Sequence, residues 1–115
     1  MVNIKNINTA LEKFKDAAAK HTEATEQGDY KTANKCYGVI AKAVLFLKEQ
    51  NEIQQLSVFL NHNSIGVCVW AATYLLPVKE REATQLLEQI AGGTGIHSFT
   101  ANTTLREWRR GNLKL

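Results

Sequence analysis

Apolar residues spaced by three and four constrain this chain more than any other feature. Ile4, Ile7, Leu11, Phe14 and Ala18 follow that rhythm, which lines them along one face of a helix. Lys5, Glu12, Lys13, Lys15 and Asp16 fall on the opposite, water-facing side. Polar residues from His21 to Gln27 extend the segment, and Gly28 offers the left-handed position at which a helix stops.

The same rhythm continues downstream. Asp29 is placed to cap a second helix, because its carboxylate can accept the free amides of the next turn. Ala33, Cys36, Tyr37, Ile40, Val44 and Leu47 form its expected buried stripe. Ala41, Leu45 and Phe46 widen that stripe and predict a helix packed on two neighbours. Gln50-Asn51 ends it, and Ile53, Leu56, Phe59 and Leu60 predict a third, shorter helix. A polar turn at 61–64 follows, with Ser64 as N-cap. Residues 65–76 are apolar nearly all round, as in a central helix. Ile65, Val67 and Val69 are also strand formers, yet no turn signal interrupts the run and no second strand candidate exists to pair with it. Pro77 stops that helix. A fifth helix over 80–91 points Ala83, Leu86, Leu87 and Ile90 inward, and Gly92-Gly93 ends it. The last runs from about Ser98 to Arg110, with Ala101, Leu105 and Trp108 inward and Gly111 as its cap.

Six helices on short connections predict an all-α fold of antiparallel pairs, either a short α-solenoid or a compact helical bundle. At 115 residues, with 44% hydrophobic and 22% charged side chains, residues 1–115 fit a single domain. The net charge of +3 is too small by itself to imply a nucleic-acid partner. The N-terminal residues lack the apolar core of a secretory signal, and the longest apolar run falls short of a membrane span. Two cysteines, Cys36 and Cys68, lie on apolar stretches without metal-type spacing. Reduced, buried thiols in a cytoplasmic protein are the expectation.

Several fixed spacings resemble one known family. Leu60-x-His62 precedes Val67-x-x-Trp70-Ala71-Ala72-Thr73-x-Leu75-Leu76-Pro77, and residues 99–111 close with Thr-Leu-Arg-Glu-Trp-Arg and a basic residue before glycine. Gly28-Asp29-Tyr30-Lys31-x-Ala33-Asn34-Lys35 stands at a helix junction upstream. Together, over roughly residues 10–111, they resemble a bacterial family catalogued as "domain of unknown function 2019". The resemblance implies a HEAT-like or armadillo-like helical fold and no known catalysis, so it carries no site residues. HEAT-like units often hold a basic residue between the valine and the tryptophan; here that place is Cys68.

Catalytic and metal patterns are not visible. His21, His62 and His97 lie in three segments, and no His-x-x-x-His pair would present two ligands on one helix face. His62 is expected to bond a backbone carbonyl in its turn. Ser57, Ser64 and Ser98 lack a nucleophile motif. Glu49 with Glu52, and Glu80 with Glu82, fall on solvated faces. The loop Gly92-Gly93-Thr94-Gly95 enters a helix but follows no strand and lacks the lysine of a phosphate loop, so its glycines predict a turn with positive φ. No cofactor is expected.

Such a chain is expected to be a non-enzymatic protein-binding domain. The sharpest version is a cytoplasmic immunity protein that occludes a bacterial toxin domain, using an acidic set of Asp16, Glu23, Glu26 and Asp29. The alternative is a nucleic-acid-associated adaptor that uses Arg106, Arg109 and Arg110 on the last helix. Trp108 falls in line with Ala101 and Leu105 and is expected in the core rather than as a stacking platform. The faces of Phe46 and Phe59 leave a homodimer open.

Overall fold

The structure, a computed structural model, describes residues 4–115. Its helices are α1 (Ile7–Glu26), α2 (Tyr30–Glu49), a 3-10 helix (Ile53–Phe59), α3 (Ile65–Leu75), α4 (Glu80–Ala91) and α5 (Ile96–Arg109), with no strand among the described residues. The chain divides into two compact units, one through Gln55 and the other Leu56–Leu115.

The first unit is a hairpin of α1 against α2. Ile4 lies ahead of α1, because the side chain of Asn6 accepts the Thr9 amide at 2.8 Å and sets the helix start there. At the far end Gly28 adopts φ +72°, and the Asp29 amide reaches back to the Ala24 carbonyl at 2.8 Å. That six-to-one bond satisfies a carbonyl the helix leaves open. Asn51 (φ 58°) and Gly111 (φ 76°) close α2 and α5 the same way, through Glu52 to Leu47 and Asn112 to Glu107. Asp29 caps α2 as the sequence predicts: its carboxylate accepts the Thr32 amide at 3.1 Å and the Thr32 hydroxyl at 2.7 Å.

Helix α1 buries Ala10, Phe14, Ala17, Ala18 and Ala24, and α2 buries Ala33, Cys36, Ile40, Ala43, Val44 and Leu47. The expected width of the α2 stripe is wrong. Tyr37 and Leu45 are 53% and 57% exposed, Ala41 is exposed and Phe46 is half-buried. At 100° per residue, Ala41 and Leu45 point about a quarter-turn or more away from the line of Ile40 and Leu47. Helical spacing says which residues share a face, not whether that face is covered.

Residues 53–59 form a 3-10 rather than an α-helix. The buried residues Ile53, Leu56 and Phe59 recur every three positions, the period at which 3-10 side chains eclipse. Phe59 therefore offers no free surface to a second copy of the chain.

In the second unit α3 packs on α4 and α5, which also pack on each other. Ser64 caps α3, and seven of its eleven residues are buried, so the central-helix expectation holds. Ile65 is exposed at its start, and Trp70, Thr73 and Tyr74 are half-buried, with Trp70 stacked on Tyr74 at 6.1 Å. On α4 Ala83 and Leu87 are buried, but Leu86 and Ile90 are only half-buried. Helix α5 begins two residues earlier than its expected Ser98, because Gly95 (φ +97°) takes the cap position. Ser98 is then carried inside, where its hydroxyl donates to the Ile90 carbonyl at 2.7 Å and ties the start of α5 to the end of α4.

Candidate interaction surfaces

Helix α2 has two apolar sides and covers only one of them. Beside the buried line, Tyr30 (73% exposed), Tyr37, Ala41 and Leu45 form a second, solvent-facing stripe. Steps of seven, four and four keep these residues on one side of the helix. Exposed Gly38 lies at the border between the stripe and its lysine flank, and a Cβ built there would meet nothing within 4 Å. Lys31, Lys35 and Lys42, all exposed, run along one flank, and Lys48 closes the end. From Tyr30 to Lys48 the helix carries these four lysines and no carboxylate. Exposed Asn34 falls on the same side between Tyr30 and Tyr37, so the unbroken apolar part runs from Tyr37 to Leu45. Exposed apolar surface with a polar border is the usual mark of a contact site.

The acidic residues singled out from sequence are all exposed; Glu23, Glu26 and Asp29 lie at the α1–α2 turn, and Asp16 lies further back along α1. Asp16 and Glu26 are ten residues apart on α1, about 15 Å along its axis. Asp16 lies 4.0 Å from Lys15, which also pairs with Glu12 at 3.5 Å. Asp29 is committed to Thr32, whose hydroxyl and then amide hold its carboxyl below the usual carboxylate range.

Arg106, Arg109 and Arg110 are exposed at the end of α5. Arg109 reaches across to Glu88 on α4 at 3.2 Å. Trp108 is not in the core as expected: it is half-buried, and its indole Nε1–H donates to the Glu80 carboxylate at 2.7 Å. The indole and one arginine of this cluster thus brace the α4–α5 hairpin. Beside it runs an open groove of about 740 Å³ lined by Ser57, Leu60, Asn61, Glu82, Gln85, Leu86, Glu88 and Gln89. Both of its carboxylates have cations, since Glu82 pairs with Lys79 at 3.7 Å and Glu88 with Arg109.

The remaining candidates are built into the fold. Cys36 and Cys68 are buried free thiols. Burial pushes the Cys68 thiol up, and its Sγ donates to the His62 carbonyl at 3.2 Å. His62 differs from expectation: its Nδ1 accepts the Ser64 amide at 2.9 Å rather than donating to a carbonyl, and its ring meets Phe59 edge-on. Burial lowers the His21 pKa below 6.5. In the glycine loop only Gly95 has positive φ among residues 92–95, and Gly93 leaves room for the Ser98 hydroxyl, 3.1 Å from where a Cβ would stand. Among the described residues no group of three or more His, Cys, Asp or Glu side chains is placed to hold a metal ion, and no helix is long and apolar enough to cross a membrane.

No protein-family model matches the chain, and no curated protein matches it. Among solved structures, the crystal structure of the protein RPA1889 from Rhodopseudomonas palustris CGA009 is similar over the full length. The TM-score is 0.90 with 18% identity, covering 100% of this chain and 99% of that one. At that identity the likeness bears on the fold alone, which is helical throughout.

Proposed function

We propose that this protein is a non-catalytic protein-binding domain, and that its target is a bacterial toxin domain it neutralises from the cytoplasm. The observation that carries the binding reading is the exposed Tyr30–Tyr37–Leu45 stripe of α2, apolar surface that a small domain gains little by leaving in water unless a partner covers it. The toxin version is supported by chain size and by resemblance to a bacterial family without assigned activity. Pairs of helices in HEAT-like arrangements hold partners on their exposed faces, which suits the same role. Against the nucleic-acid alternative stands the use of Trp108 and Arg109 inside their own hairpin.

The test is co-expression with the product of the adjacent reading frame. The proposal expects relief of that product's toxicity and a complex that co-elutes in size exclusion. A neighbour that is harmless and does not co-elute rejects the toxin version, and a salt-sensitive gel shift lost in an Arg106→Ala/Arg110→Ala variant moves the function to nucleic acid.

A further inference from the structure

We infer that the partner presents an acidic amphipathic helix, laid along α2 with its apolar ridge over Gly38 and Ala41 and its carboxylates beside the lysine row. The inference rests on the protein-binding reading and specifies the surface and the chemistry of what covers it. From Tyr30 to Leu45 the stripe extends about 22 Å, the length of a four-turn helix. Exposed side chains at Tyr37 and Leu45 stand on either side of the small Ala41, and Gly38 lowers the surface between Ala41 and the lysine row, which is relief into which a helix ridge fits.

Gly38 is the decisive residue. A glycine inside a helix is unfavourable relative to alanine, and nothing within the protein asks for it, since the space beyond its Cα is open. A need for close approach from outside accounts for it. The charges select the occupant. Among the described residues no carboxylate lies within 4.0 Å of Lys31, Lys35 or Lys42, and Lys35 has only the longer-range attraction of Asp29. Lys31 sits in the first turn of α2, where the helix dipole disfavours a cation, and the one carboxylate at that end, Asp29 at the N-cap, is committed to Thr32. A second copy of the chain fits less well: an antiparallel self-pair about a two-fold axis would set lysine row against lysine row. A membrane surface has no use for the dip, because lipid insertion gains from bulk at each apolar position.

The experiment titrates the full chain into a fluorescent synthetic helix with leucine and alanine on one face and glutamate on its flanks, and into a counterpart with lysine flanks. The glutamate helix binds saturably, the lysine helix does not, and the affinity falls with added salt. Leu45→Glu and Gly38→Leu each weaken binding about tenfold or more while helicity and melting temperature are retained. Absence of saturable binding, equal binding of both helices, or indifference to Gly38→Leu overturns the inference. So does binding to phosphatidylserine vesicles that Gly38→Leu leaves unchanged or strengthens, or a dimer in sedimentation that Gly38→Leu dissociates. The two proposals fail separately. A native target that still binds Gly38→Leu refutes this surface and leaves the protein-binding function standing, whereas absence of any native target refutes that function.

Discussion

In the second unit α4 and α5 turn polar groups toward each other, as Trp108 donates to Glu80 and Arg109 pairs with Glu88, while Lys79 pairs with Glu82 at the start of α4. In the first, α2 holds three exposed lysines without a carboxylate within 4.0 Å among the described residues, beside an exposed aromatic and aliphatic stripe. Solvated ion pairs add little to stability, so the contrast is less about which unit is stronger than about which groups are already occupied. Charge that is paired within its own hairpin is poorly available to a partner. The three residues of α5 that looked most like a binding site from sequence are partly occupied, and the helix that looked like core carries the open surface.

The comparison breaks first at the cores if the burial pattern is wrong. Phe14→Ala, in the first unit, and Leu87→Ala, in the second, remove fully buried side chains and should cost about 2–5 kcal/mol in chemical denaturation. Leu86→Ala, one position away but half-buried at the groove, should cost clearly less than Leu87→Ala; equal losses would show that α4 is rotated from the orientation described. The bracing of the second unit is tested by Trp108→Phe, which keeps most of the ring and deletes the donor to Glu80. A loss of about 0.5–1.5 kcal/mol is expected, and a double-mutant cycle with Glu80→Gln isolates the bond. Arg109→Ala should cost about 0–1 kcal/mol, shrinking with salt. Smallest of all, Leu45→Glu should leave the denaturation midpoint of the first unit within about 0.5 kcal/mol of the parent, since its side chain is over half exposed.

Acidification offers a further contrast, confined to the first unit. Burial lowers the His21 pKa below 6.5, so the folded state binds that proton less readily than the unfolded chain. Its contribution is complete above pH 6.5 and is lost as pH falls through the folded value, a slope that His21→Gln should remove. Asp29, also held low, contributes above its unfolded pKa of 3.8 and loses that contribution only at more acidic pH, as Thr32 loses its carboxylate partner. Thermal melts of the parent and of His21→Gln, compared on either side of pH 6.5, check the first of these.

Much of the fold was legible because local chemistry sets it. Asp29 and Ser64 begin helices, and Gly28 and Gly111 end them, because each satisfies or releases amides and carbonyls within its own few residues. The segment over Ile53, Leu56 and Phe59 was legible only as a third, shorter helix, because a period of three lies close to 3.6. The candidate surface was not. Tyr37 and Leu45 were assigned to the core since they are apolar and follow helical spacing, and Trp108 was assigned there for the same reason.

What the chain determined alone is where each helix starts, stops and turns its apolar residues, since those choices rest on neighbours at most a few positions away. Which apolar side is covered, which arginine is already paired and which glycine stands against open space were decided only by tertiary packing. Those outcomes depend on residues far apart in sequence, such as Glu80 and Trp108, which no local periodicity can bring together.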